Sequence, residues 1–147
     1  MIDFTVETQI DRPVGEVFAY AVDPDKLASW QTNTVSARRE DEGPYGVGSR
    51  LREVHRAPGG KELESIVEVV EFEPGRVFAL EVREGTPVHA HMTFDPAGDG
   101  TRMRFRAHGS LTGPTRLIEP LVGRMLRRQF TEQVATLKEV LEGSPPA

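Results

Sequence analysis

Glu53 and His55 lie two residues apart within a run of alternating side chains from Arg50 to Arg56. In an extended strand that spacing puts both on one face, about 7 Å apart. A carboxylate and an imidazole so placed can orient a polar group. They can also pass a proton to and from it, because histidine ordinarily titrates near neutral pH. Leu51 shares their face, so the pair is expected to point inward. An inward Glu53 then needs a polar partner, since burying a lone charge is costly. Ser65, on the strand that follows, can add a hydroxyl to the same site. The competing expectation is that the strand end opens to solvent, leaving His55 at a rim and Glu53 paired with an arginine.

Two other groups of residues invite a chemical reading. His89 and His91 share a strand face and resemble half of a metal site. No third carboxylate or thiolate accompanies them, and three protein ligands are the usual minimum. Arg104 and Arg106 are expected across the strand, where they would repel a cation, and Glu81 is the expected partner of His91. No metal and no cofactor is expected. Arg124, Arg127 and Arg128, with Arg116, form a basic patch that reads first as a solvated helix face, with Glu119 and Glu132 in pairing positions. A glycine-rich phosphate loop after a strand, a G-x-S-x-G elbow and an H-E-x-x-H helix are all missing, which argues against nucleotide-dependent and serine-hydrolase chemistry.

The elements that must position these residues follow from periodicity. Residues 2–10 alternate, with Ile2, Phe4, Val6 and Ile10 on one face. Asp11-Arg12-Pro13 then opens a first helix, with Val14, Val17, Phe18 and Ala21 as its apolar stripe. Asp23-Pro24 starts a second, short helix ending near Trp30, with Asp23 as N-cap. Strands are expected at about 33–40, 48–57, 61–73, 76–84, 88–95 and 101–111. Glycine- and proline-rich turns separate them, among them Pro58-Gly59-Gly60, and the short loops favour antiparallel hairpins. A bulge near Val69-Val70 accounts for a break in alternation. From about Thr115 to Glu142 the period becomes helical, with the helix proper starting or bending near Glu119-Pro120 and ended by Gly143 and Pro145-Pro146.

Composition sets the remaining bounds. A chain of 147 residues is expected to form one domain, residues 1–143, with a disordered tail at 144–147. It has no cysteine, so disulfides and thiol chemistry are excluded. The net charge of −5 argues against a protein devoted to nucleic acid, which usually carries a basic excess. The chain starts as a strand rather than a signal peptide, and no apolar run reaches the ~20 residues of a membrane span. A cytoplasmic protein without integral membrane contact is the expectation.

Taken in order, the strand before Pro13, Val17-Phe18, Asp23-Pro24 with Trp30, Gly48, Val69 to Pro74 and the Gly98 to Arg102 hairpin resemble the START-like, helix-grip superfamily SRPBCC. Within it, the chain resembles the polyketide cyclase/dehydrase-like group, from Ile2 to Leu141. The resemblance implies an α+β helix-grip fold, in which a curved antiparallel sheet of about seven strands wraps a long C-terminal helix and leaves a cavity. Leu51, Val67, Phe78 and Leu80 are then expected to line that cavity from the sheet, with Met92, Phe94, Met103 and Phe105. Leu117, Leu121 and Met125 would face them from the helix, and Trp30 would roof the space. The implied function is binding of a hydrophobic or aromatic small molecule, lipid- or polyketide-like, with its polar end at Glu53 or His55. The first alternative is a polyketide cyclase or dehydratase using that pair for proton transfer. The second is a co-chaperone-like interaction module, which predicts an occluded cavity and an exposed apolar patch. A monomer or a homodimer, through an edge strand or the charged sheet face, is expected, and no feature selects one.

Overall fold

The computed structural model describes residues 1–57 and 59–143. The expectations for Pro58 and for the tail at 144–147, including a helix stop at Pro145-Pro146, lie outside the described residues. The element order is β1 (Ile2–Ile10), α1 (Val14–Val22), a 3₁₀ turn (Pro24–Lys26) running into α2 (Leu27–Trp30), then β2 (Thr34–Arg39), β3 (Arg50–Arg56), β4 (Glu62–Glu73), β5 (Val77–Glu84), β6 (Val88–Ala97) and β7 (Gly100–Gly109). A second 3₁₀ segment (Gly113–Ile118) leads into α3 (Glu119–Glu142). The seven strands form one antiparallel sheet in the order β1-β7-β6-β5-β4-β3-β2, and α3 lies across its inner face. This is the α+β helix-grip fold.

Local sequence explains the joints. The Asp23 carboxylate accepts the Asp25 N–H at 2.9 Å, and Pro24 occupies the first turn where its missing N–H costs nothing. Gly98, at φ 62°, makes the two-residue turn that lets Ala97 face Gly100 across the β6–β7 hairpin. The β4–β5 register shifts between Val69 and Glu71, so Val70 is the bulged residue. Pro120 confines α3 to a start at Glu119, and the helix of 24 residues spans about 36 Å. The Met1 ammonium and the Leu111 N–H hold the buried Glu119 carboxyl below the usual carboxylate range.

The two sheet faces divide the chemistry. On the outer face, charged residues pair across strands: Arg106 with Asp3 at 2.8 Å, Arg104 with Glu7 at 3.0 Å, and Arg83 with both Glu68 and Glu81. His89 and His91 belong to this face. His91 is opposite Arg106 as expected, but its acidic neighbour is Glu71, at 3.6 Å, rather than Glu81. The bulge at Val70 advances Glu71 into that place. His89 is opposite His108, and its Nδ1 accepts the Val82 N–H at 3.1 Å. No cluster of three metal-ligating side chains exists among the described residues.

On the inner face, Ile10, Val17, Phe18, Phe94, Met103 and Leu137 are buried in one core. Phe18 meets Phe94 edge-on at 5.1 Å and Phe72 at 5.5 Å. The end of α3 is tied to the β1–α1 link here. Asp11 N–H donates to Glu142, and the Arg12 Nε–H donates to the Leu141 carbonyl at 2.9 Å.

Candidate ligand-binding cavity

Toward the N-terminal half of α3 the space between helix and sheet is hollow. The cavity measures about 570 Å³, within the range of pockets that take a drug-sized molecule. Along each inner strand the residues nearer this end line it and those farther away fill the core. Thus Val67 lines the cavity while Val69 is core, and Leu80 and Val82 line it while Phe78 is core. Met92 and Phe105 line it while Phe94 and Met103 do not. Val122, Met125, Leu126 and Phe130 close it from α3, and Gln31 to Asn33 close it beyond α2. Gln133, buried on α3, donates to Asn33 at 2.7 Å and holds those two walls together.

One wall is polar. Glu53 is 5% exposed and its Oε1 is 3.1 Å from His55 Nε2, so the carboxylate has its partner in the next inward residue. His55 Nδ1 in turn meets Thr34 Oγ1 at 3.3 Å, and the Thr34 hydroxyl donates to Gln31 Oε1 at 3.1 Å. The polar contacts from Glu53 through His55 and Thr34 to Gln31 thus run along the cavity wall, beside Ser65. Such an arrangement can donate a hydrogen bond to a ligand oxygen or exchange a proton with it.

Several expected site residues lie elsewhere. Trp30 is fully buried, stacks edge-on against Phe105 at 6.2 Å, and is not part of the lining; the residues just after it are. Leu51, Phe78, Phe94 and Met103 face inward but are covered by core. Leu117 and Leu121 point to solvent, 88% and 65% exposed, and Met125 alone of that expected row reaches the cavity edge. The reason is angular. Leu121 and Leu137 are sixteen residues apart, which at 3.6 residues per turn puts them roughly 160° apart around the helix. The row through Leu126, Phe130, Val134 and Leu137 faces the sheet, and the row through Leu121 cannot. Asn33, Gln133 and the α3 lining residues Val122, Leu126 and Phe130 fall outside the expected site residues, although the helical period marks the last three.

The family model for polyketide cyclase/dehydrase and lipid transport proteins matches residues 1–142. The chain belongs to that family. No curated relative matches the sequence. Among solved structures, TTHA0849 from Thermus thermophilus superposes with a TM-score of 0.83 at 23% identity, covering 97% of this chain and 99% of that one. The di-domain ARO/CYC protein StfQ of the steffimycin biosynthetic pathway gives 0.81 at 15% identity, over 97% of this chain and 51% of that one. The Aha1 dimer from Colwellia psychrerythraea gives 0.68 at 16% identity, over 97% of each chain. At these identities the likeness is one of fold. Members of the polyketide cyclase/dehydrase and lipid transport family share a scaffold, and function must be argued from the site each one carries. In this member the site is a hollow apolar end with one polar wall. No helix among the described residues is long and apolar enough to cross a membrane.

Proposed function

We propose that the chain binds a hydrophobic or aromatic small molecule in the cavity between sheet and α3, with a polar group of the ligand against Glu53, His55 and Ser65. The observation that carries this reading is the 570 Å³ hollow lined mainly by apolar side chains and closed on one side by the Glu53–His55 pair. An apolar pocket with a few convergent polar groups fixes a ligand's orientation through those groups. The family description, which includes lipid transport, supports the same reading. Native mass spectrometry of gently purified protein tests it. A stoichiometric adduct that disappears on denaturation is expected. Failure of lipid extracts and aromatic polyketides alike to give an adduct would remove the proposal.

A second reading has its own observation. The Glu53–His55 pair, in contact at 3.1 Å, lies on the wall rather than in the core, so cyclisation or dehydration of a polyketide-like chain is open to it. The cavity would hold the chain in a reactive fold, and His55 would carry the proton. With such a substrate, His55→Gln is expected to reduce turnover at least 100-fold, a typical contribution of a general acid or base, with little change in binding. Retained turnover would exclude His55. The interaction-module reading is favoured less, because it expects an occluded cavity.

A further inference from the structure

The outward row of α3 is the least expected surface of the molecule. Leu117 and Leu121 are 88% and 65% exposed, and Ile118 and Met125 are exposed beside them. Leu121, Arg124, Met125 and Arg128 share one face of the helix by spacing. The Arg124 and Arg127 side chains make no hydrogen bond or ion pair among the described residues, and that of Arg128 reaches only Glu132, at 3.6 Å. Glu119 is buried and engaged with Leu111, so Glu132, beside Arg128, is the acid that faces these charges. A chain of net charge −5 thus gathers three arginines against one exposed acid, Glu132, near its exposed leucines. The patch is also continuous with the cavity, because Met125 both lines the hollow and is exposed. Leu63, on the opposite lip, does the same.

We infer that this face, Leu117-Ile118-Leu121 with Arg124, Arg127 and Arg128, docks the protein on the surface of an anionic lipid bilayer. Exposed apolar side chains enter the headgroup boundary, and arginines around them meet anionic headgroups. Charge favours this occupant over a second copy of the chain. A two-fold contact through this face would bring two basic clusters, with six arginines against two exposed acids, into one interface. The inference builds on the proposed function at one point only: docking would turn the mouth between Met125 and Leu63 toward the layer from which a hydrophobic ligand would come.

Flotation with phosphatidylcholine vesicles, with and without a third of phosphatidylglycerol, tests it on the full chain. The protein is expected to float with the anionic vesicles, weakly or not at all with the neutral ones, and less as salt rises. Leu117→Asp with Leu121→Asp is expected to abolish flotation, and these side chains are exposed enough to leave the fold intact. Arg124→Glu, at a second exposed position, is expected to lower partitioning at least about five-fold. Absence of flotation with anionic vesicles would overturn the inference. So would flotation that ignores lipid charge, or flotation unchanged in both variants. Self-association of the parent chain that Leu117→Asp with Leu121→Asp disrupts, without vesicle binding, would assign the face to a second copy instead. Adduct formation in native mass spectrometry reads the cavity separately and is expected to survive in both variants.

Discussion

Toward the C-terminal end of α3 the space between helix and sheet is filled; toward its N-terminal end it is open. The strands crossing both ends are the same strands, and their inner residues are the same kinds of residue. The difference lies in what is added. At the filled end α1 inserts Val17 and Phe18 against Phe94, and the helix brings Val134, Leu137 and Leu141 onto the sheet. At the open end α1 is absent, and small side chains such as Ala90 line the sheet. Gln133 and Asn33 there join the walls by a hydrogen bond instead of a packed apolar contact. A cavity in this fold is thus a missing layer, not a lack of apolar residues.

That comparison can be broken by substitution. Leu137→Ala, at the filled end, is expected to cost about 2–5 kcal/mol in chemical denaturation, the range for deleting a fully buried leucine. A loss below about 1 kcal/mol would mean that this end collapses easily and is not the rigid half. Ala90→Phe, at the open end, should instead occupy the hollow and lower small-molecule uptake at least about ten-fold while stability stays level or rises. A strongly destabilised variant would mean the hollow is smaller in solution than 570 Å³. The smallest effect is expected for Leu121→Ala, on the outward row, where surface changes stay within about 0.5 kcal/mol. A larger loss by the same denaturation assay would place Leu121 against the sheet after all.

The sequence made the architecture legible because its signals are local. Alternation in Ile2 to Ile10, the proline at 120 and the turn at Gly98 each specify an element, and the sheet follows from short loops. Even the bulge at Val70 shows as a break in alternation. The site was legible only in part. Glu53 and His55 could be given a face from their spacing with Leu51, and the structure puts them together on the wall. Alternation reports which face is inward and carries no information on whether the inward space is filled, so Phe78 and Leu80 read alike and have different fates. The helix differs from its expected phase for another reason. Two apolar rows run side by side through its first half, and only their phase against Leu137 and Leu141 tells which one faces the sheet.

The pairing of β1 with β7 has a consequence for how the chain is made. Asp3 meets Arg106, 103 residues later, and the inner face of β1 packs in one core with residues of α3, which follows β7 in the chain. While the polypeptide leaves the ribosome, the face carrying Ile2, Phe4 and Val6 therefore lacks its packing partners until β7 and α3 have been synthesised. The β2 to β7 meander can zip as it emerges, one hairpin at a time, but the first strand must wait for the last. The growing chain thus carries a waiting apolar strand until its β7 and α3 segments have been made.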